Sequence, residues 1–224
     1  MIIQSFESAA DTSVWLNLTM THDTSQSPVP NRTTGTRSNR LTADNWIQAA
    51  LDLIAEQGID AVAVEPLARH LGVTKGSFYW HFPSRDALLQ AALERWETIE
   101  QEQVFNSLKD VTDPTARLRA LFQLVAHQIK PHAIYNKLLK TLDHPSVRPV
   151  VDRVSRRCLD YLVTSFRQVG MSYTHAQHRA RLAYTAYVGF LQLSLPLQQP
   201  KEAREEFEAY VEHIIQTLIP YNIG

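Results

Sequence analysis

Nine consecutive residues, Thr74-Lys75-Gly76-Ser77-Phe78-Tyr79-Trp80-His81-Phe82, bring two aliphatic hydroxyls, an ammonium, a glycine and five rings into one short stretch. Such a set is suited to holding an anion rather than to breaking a bond. Thr74 can cap a helix that opens with Lys75, Gly76 and Ser77. A helix N-terminus exposes unpaired N–H groups and carries about half a positive charge, so it favours a phosphate, and Lys75 adds a full charge. Gly76 lets backbone come close to a ligand without a Cβ. Inside so short a helix it costs ~1 kcal/mol against alanine, which close approach would offset. Ser77 can bond a phosphate or a base edge, and Tyr79 can offer its hydroxyl to a phosphate while its ring packs. His81 has no carboxylate or nucleophile spaced near it, so it reads as a packing or phosphate-bonding residue and not as a catalytic base. Phe78 and Phe82 read as core. Trp80 fits either the ligand face or packing against the preceding helix.

These side chains need a scaffold, and the flanking sequence supplies one. A short helix from about Val64 to Leu71 precedes them, with small Ala68 where two helices would touch. Gly72 sits in the turn, and Leu67, Leu71, Val73 and Phe78 supply apolar contacts. This is the pattern of a helix-turn-helix over about 63–82, whose second helix lays its first residues in the major groove of double-stranded DNA. An earlier helix opens at Thr42, carries Ile47, Ala50, Leu51 and Ile54 at helical spacing and stops at Gly58. Ser84 can cap a long fourth helix striped by Leu89, Ala92, Leu93, Trp96 and Ile99. Asp113-Pro114 opens another, further helices fit about 131–142 and 147–169, and Thr174 through Gln177 has capping-box spacing. A break from Pro196 to Pro200 precedes the last stripe. With seven glycines and no long Val/Ile/Thr alternation, the reading is an all-α fold of about nine helices. Its expected parts are a Ser/Thr/Asn/Asp-rich, disordered arm over 1–40, a helix-turn-helix domain over 41–86 and a helical domain over 87–224.

A net charge of −1 gives no bulk support for nucleic-acid binding, so any such binding rests on locally placed cations. The lone Cys158 excludes a disulfide within the chain and a cysteine-based zinc site, and fits a reducing compartment. His175 and His178 are three apart on a helix, but no acidic third ligand is near, so no metal is expected. No leader-like start and no run of ~18 apolar residues is present, so a soluble, cytoplasmic protein without membrane contact is expected. The sequence has no glycine-rich phosphate loop and no convergent acid, base and nucleophile, so neither an enzyme nor a cofactor is expected.

From Lys130 to Arg181, ten Lys/Arg face three Asp, which reads as a solvated basic stretch offset by Glu202, Glu205, Glu206, Glu208 and Glu212 of the last helix. Trp96, Phe105, Phe122, Tyr135, Tyr161, Phe166, Tyr184 and Tyr187 are aromatic enough to line an apolar cavity. Leu191, Leu195, Phe207, Tyr210, Val211, Ile214 and Leu218 form wide stripes on the last two helices. Either an interface between two copies or an intrachain core would cover them.

The segment from Trp46 to about Trp96 strongly resembles the N-terminal domain of the tetracycline-repressor (TetR) family. The residues that carry this are Ala49-Ala50-Leu51-Asp52-Leu53-Ile54-Ala55-Glu56-Gln57-Gly58, then Leu67 through Phe82, then Ser84-Arg85-Asp86-Ala87-Leu88-Leu89. The resemblance implies a homodimer with a three-helix DNA-binding domain and a helical C-terminal domain that binds a small-molecule effector, usually releasing DNA. It places Thr74, Lys75, Gly76, Ser77, Tyr79, Trp80 and His81 on the recognition helix and makes Arg85 a phosphate contact. It also implies a four-helix dimer interface made by the last two helices. Ala63 departs from the family, which commonly has a capping, phosphate-touching Thr there, and Pro66 lies in that helix's first turn. The expectation is a regulator, and more specifically a repressor, on a pseudo-palindromic operator with half-sites about 34 Å apart. Arg40, at the end of the arm, is a further candidate DNA contact. Deleting residues 1–39, including Arg32 and Arg37, is expected to leave operator affinity unchanged in a fluorescence-anisotropy titration; a clear loss would make the arm a DNA contact.

Overall fold

The computed structural model describes residues 41–127, 129–197 and 204–219. Arg32, Arg37 and Arg40 lie outside the described residues, as do the side chains of Phe105 and Leu195. Among the described residues the fold is all helical: α1 (Ala43–Gln57), α2 (Val64–His70), α3 (Lys75–Tyr79), α4 (Arg85–Phe105), α5 (Pro114–His127), α6 (Ile129–Leu139), α7 (Val147–Gln168), α8 (Tyr173–Leu197) and α9 (Arg204–Leu218). Single 3-10 turns lie at Ile59–Ala61 and Asn106–Leu108.

Local signals set most of the boundaries. The Thr42 N–H donates to Asn45 Oδ1 at 2.8 Å at the start of α1. Ser84 Oγ accepts from the Ala87 N–H at 3.1 Å, and Asp113 Oδ2 accepts from the Ala116 N–H at 2.6 Å; each satisfies a donor that a helix start leaves unpaired. Three expectations are corrected. α8 begins at Tyr173 with the Ser172 hydroxyl accepting from the His175 N–H at 3.3 Å, so Ser172 rather than Thr174 caps it. It also carries Pro196 in its final turn, so the helix continues through that proline to Leu197. α6 stops at Leu139, short of 142, because the Lys140 and Thr141 N–H groups turn back three residues, to Lys137 and Leu138.

Two apolar cores form. The first joins Trp46, Ala50 and Ile54 of α1, Leu67 of α2 and Phe78 of α3 to Leu88, Leu89, Leu93 and Trp96 of α4. It continues into Tyr135 and Leu138 of α6 and Val147 to Val154 of α7, so the helix-turn-helix segment and the following helices share it. The second gathers Leu118 and Leu121 of α5, Leu162 and Phe166 of α7, Ala176 to Ala183 of α8, and Val211, Ile215 and Leu218 of α9. Helix α4 runs from the first core toward the second. Glu97 on α4 is clamped to α7 by Arg153 and Arg157, each at 2.6 Å, and this mostly buried carboxylate is held below its ordinary pKa chiefly by Arg153. No helix among the described residues is long and apolar enough to cross a membrane.

The Phe78 side chain is fully buried at the meeting of α1, α3 and the chain leading into α4. Phe78→Ala is expected to destabilise the protein by about 3–5 kcal/mol, read as a lowered midpoint of urea unfolding; an unchanged midpoint would contradict its place in the core.

Candidate nucleic-acid interface and the helical cavity

The interface is built on two short helices whose inner faces are fixed and whose outer faces are free. Ala63 precedes α2 in extended conformation with no side-chain cap, and its carbonyl accepts from the Leu67 N–H at 3.2 Å. Pro66 is tolerated in that first turn because its N–H would have no partner. Leu67 and Ala68 are buried against the core. Gly72 closes the turn at φ 68°, a conformation that a side chain would strain, and the Val73 N–H donates to the Ala68 carbonyl at 2.9 Å.

Thr74 then stands at the N-cap position in extended conformation. Its carbonyl accepts from the Ser77 N–H at 3.0 Å, and its hydroxyl makes no capping bond. Below the helix, Phe78 meets Trp46 edge-on at 5.3 Å and stacks on Phe82 at 5.9 Å. Tyr79 meets Phe78 edge-on at 5.2 Å while remaining exposed. Thr74, Lys75, Gly76 and Tyr79 are exposed, and Ser77 and His81 are half-buried. Trp80 is 89 % exposed, which decides between its two readings: it does not pack on α1. A Cβ added at Gly76 would meet nothing nearer than Thr74 Oγ1 at 3.7 Å, so the packing of the chain itself does not require glycine there.

The two cations of the site are already engaged within the chain. Lys75 Nζ lies 2.9 Å from Glu65 Oε1 of α2, and their hydrogen bond holds the ammonium above and the carboxyl below their ordinary values. Both ends are exposed, so the pair is weak and a phosphate can compete for the lysine. Arg85 is turned back on the scaffold: Nε donates to the Val62 carbonyl at 2.7 Å, Nη2 to the Ile59 carbonyl at 3.0 Å and Nη1 to Asp86 at 3.2 Å. Thr74, Lys75, Gly76, Ser77, Tyr79 and Trp80 thus come together at α3, while the Arg85 guanidinium ties the start of α4 to the turn after α1.

The model of the family described as "Bacterial regulatory proteins, tetR family" matches residues 47–92, which span α1 to the middle of α4. Over residues 47–92 the chain is thus similar to the N-terminal segment of that family. The tetracycline repressor protein class A of transposon 1721 from Escherichia coli is 44% identical over 55 residues, which cover 25% of this chain and 26% of that protein. The chain therefore aligns with about a quarter of that relative's length. Among solved structures, a transcriptional regulator from Saccharomonospora viridis in complex with choline superposes with a TM-score of 0.70 at 17% identity, over 80% of this chain and 98% of that one. AibR, in complex with isovaleryl coenzyme A and operator DNA, superposes with a TM-score of 0.61 at 19% identity, over 80% and 99%. The helices after the TetR-type segment thus share the fold of such regulators.

Where the two cores meet, this TetR-type fold leaves a cavity of about 210 Å³ between α4, α5, α6, α7, α8 and α9. Of the aromatic residues expected to line a cavity, Phe122, Tyr161, Tyr184 and Tyr187 do so. Trp96, Tyr135 and Phe166 stand behind the lining: Trp96 and Tyr135 stack at 5.6 Å in the first core and Phe166 is fully buried in the second. The Tyr184 hydroxyl donates to Ser155 Oγ at 2.7 Å and is hydrogen-bonded to the Tyr135 hydroxyl. Burial raises the phenols of Tyr135 and Tyr187, pushes the Cys158 thiol up to about 12 and holds His132 down to about 4. Glu100, a lining residue that the sequence pattern did not single out, is pushed up to about 7 by burial, with the Trp96 indole N–H acting in the other direction. Its position was a signal: it falls seven residues after Leu93 and four after Trp96, on the buried stripe of α4.

The stripes considered for an interface between copies are largely turned inward. Leu191, Val211 and Leu218 are buried, and Phe207, Tyr210, Val211, Ile214 and Leu218 line the cavity. The glutamates of α9 do not offset the 130–181 stretch where described: Glu208 pairs with His127 and Glu212 with Arg119, both on α5. Within that stretch Arg153 and Arg157 are instead met by Glu97. No group of three His, Cys, Asp or Glu among the described residues is placed to hold a metal ion.

Glu65→Gln removes the intrachain competitor for Lys75 without touching the outer face of α3. DNA affinity is expected to rise about two- to five-fold by fluorescence anisotropy at low salt; unchanged affinity would mean that Lys75 does not meet phosphate.

Proposed function

We propose that the protein is a sequence-specific DNA-binding transcriptional regulator, acting as a homodimer on a pseudo-palindromic operator and relieved of DNA by a small molecule held in the helical cavity. The observation that carries this reading is the outer face of α3. On a helix anchored by a buried Phe78, an uncapped threonine hydroxyl, a lysine, a glycine that the packing does not need, and an almost fully exposed tryptophan all face outward. Water is a poor solvent for an exposed indole, and a groove floor would cover it. Thr74, Lys75, Gly76, Ser77 and Tyr79 are the DNA contacts in this reading, with Trp80 and His81 at the edge. Arg85 acts by holding α4 and the turn after α1 in place.

Two recognition helices are needed to read two half-sites, so a second copy is part of the reading. The exposed apolar residues Leu182 and Leu193 on α8, and Tyr210 on α9, offer it a surface. A small-molecule effector is favoured over a purely structural C-terminal part by the cavity, whose apolar walls carry a few polar groups. The AibR likeness, which holds an acyl thioester and operator DNA on the same fold, agrees with this reading. Ligand relief then requires that the effector bind one arrangement of the two recognition helices better than another.

Selecting bound fragments from the source genome with the purified protein supplies the operator. On that fragment, Lys75→Ala is expected to weaken binding and to reduce the slope of log affinity against log salt by about one. A slope identical to the wild type would overturn the phosphate role of Lys75, and failure to enrich any fragment would overturn the regulator reading.

A further inference from the structure

We propose that the cavity takes an organic cation, with the Glu100 carboxylate as its counter-ion and the surrounding rings as its walls. This gives the ligand class for the site read above as the effector site, and rests on that reading. Among the described residues Glu100 is the single carboxylate on the lining, and no lysine or arginine of that set stands beside it there. Among the described lining residues only His132 can carry a positive charge, and it is buried on α6 and kept neutral by that burial. The interior field therefore has one sign.

One oxygen of the carboxylate is also unserved. Glu100 Oε1 is buried and completes no hydrogen bond of proper geometry among the described residues; the Trp96 indole N–H, one turn earlier on α4, is near enough to favour the charged form but is itself left without a completed bond. Glu97, three residues before it, shows the contrast: two guanidiniums converge on that carboxylate, and the same Arg153 and Arg157 are thereby spent. An unpaired buried acid opposes folding unless it stays protonated or gains a partner. A bound cation is such a partner. Phe122 from α5, Tyr187 and Phe190 from α8 and Phe207 from α9 line the same space with aromatic rings, whose π faces attract cations. An anion would meet Glu100 with no compensating charge, and a neutral hydrocarbon would leave it unpaired. Tyr210 both lines the cavity and is exposed, which puts it at the mouth.

The test uses full-length protein and two probes of the same shape, benzyltrimethylammonium and its uncharged carbon isostere neopentylbenzene, with affinities from calorimetry. At about pH 8 the ammonium is expected to bind the wild type about tenfold or more tightly than the isostere. Its affinity is expected to rise between about pH 6 and about pH 8, because it binds the ionised form of a group that starts near 7. The other titratable groups facing the cavity are His132 from α6, Cys158 and Tyr161 from α7, Tyr184 and Tyr187 from α8 and Tyr210 from α9. His132, near 4, and Cys158, near 12, lie outside that window.

Glu100→Gln should abolish both the preference and its pH dependence. Glu100→Met should do the same, and a thermal midpoint at pH 8 no lower than the wild type's shows that each variant is folded. Equal affinity for the two probes, no binding of the ammonium, or a preference that survives both substitutions would overturn the proposal. So would an affinity that falls with rising pH. Operator binding is read separately: ammonium binding that depends on Glu100 without any enriched DNA fragment supports the cation site and overturns the regulator reading, and DNA binding with no preference for the ammonium does the reverse.

Discussion

Burial of one face of α4, from Leu88 to Trp96, is the interaction on which the other parts of the molecule depend. That face is the wall against which α1 seats Trp46 and Ile54, and α6 and α7 close over it with Tyr135, Leu138 and Val150. Removing it would leave the three short N-terminal helices without a common floor, since helices of five and seven residues cannot hold themselves in water. The polar ends of α4 extend its reach. Arg85 grips the carbonyls of Ile59 and Val62, Glu97 draws in Arg153 and Arg157, and Glu100 enters the cavity. At about 1.5 Å per residue the helix sets Glu100 about 22 Å from Arg85, on one rigid rod.

Charge is used sparingly and locally. The chain as a whole is close to neutral, and many of its charged side chains hold helices together: Glu97 ties α4 to α7, and Arg119 ties α5 to Glu212 of α9. The Arg179 guanidinium reaches the carbonyls at the end of α9. The outer face of α3 is left with one ammonium, and that one is shared with Glu65. In the proposed reading, binding to a polyanion through so few cations would place weight on close backbone approach at Gly76 and on the helix N-terminus, both of which act at short range.

The cavity follows from the way the two cores meet. The helices that serve both, α7 and α8, bring aromatic residues to the junction, and flat rings do not fill a space as branched aliphatic chains do. Within this space an acid is retained on a helix face that is otherwise apolar. Its burial opposes stability, and a methionine or leucine there would fold at least as well, so the fold alone gives no reason for it.

The sequence by itself determined the helices, the turn at Gly72, most of the caps and the likeness of residues 47–92 to a TetR-type domain, because these depend on neighbours within a few positions. It also distinguished Phe78 and Phe82, which hold the fold, from the outward residues of α3. It left open whether Trp80 faced outward, and it did not find that Arg85 grips carbonyls 23 and 26 residues upstream or that Arg153 and Arg157 meet Glu97 56 and 60 residues away. The stripe on α9 was legible as a buried face, but periodicity says only that something covers it. The tertiary structure decided that α5, α7 and α8 cover much of it and that a cavity takes the remainder. Glu100 shows the same division: its place on the stripe is written in the sequence, whereas its lack of a partner depends on which side chains five other helices bring around it.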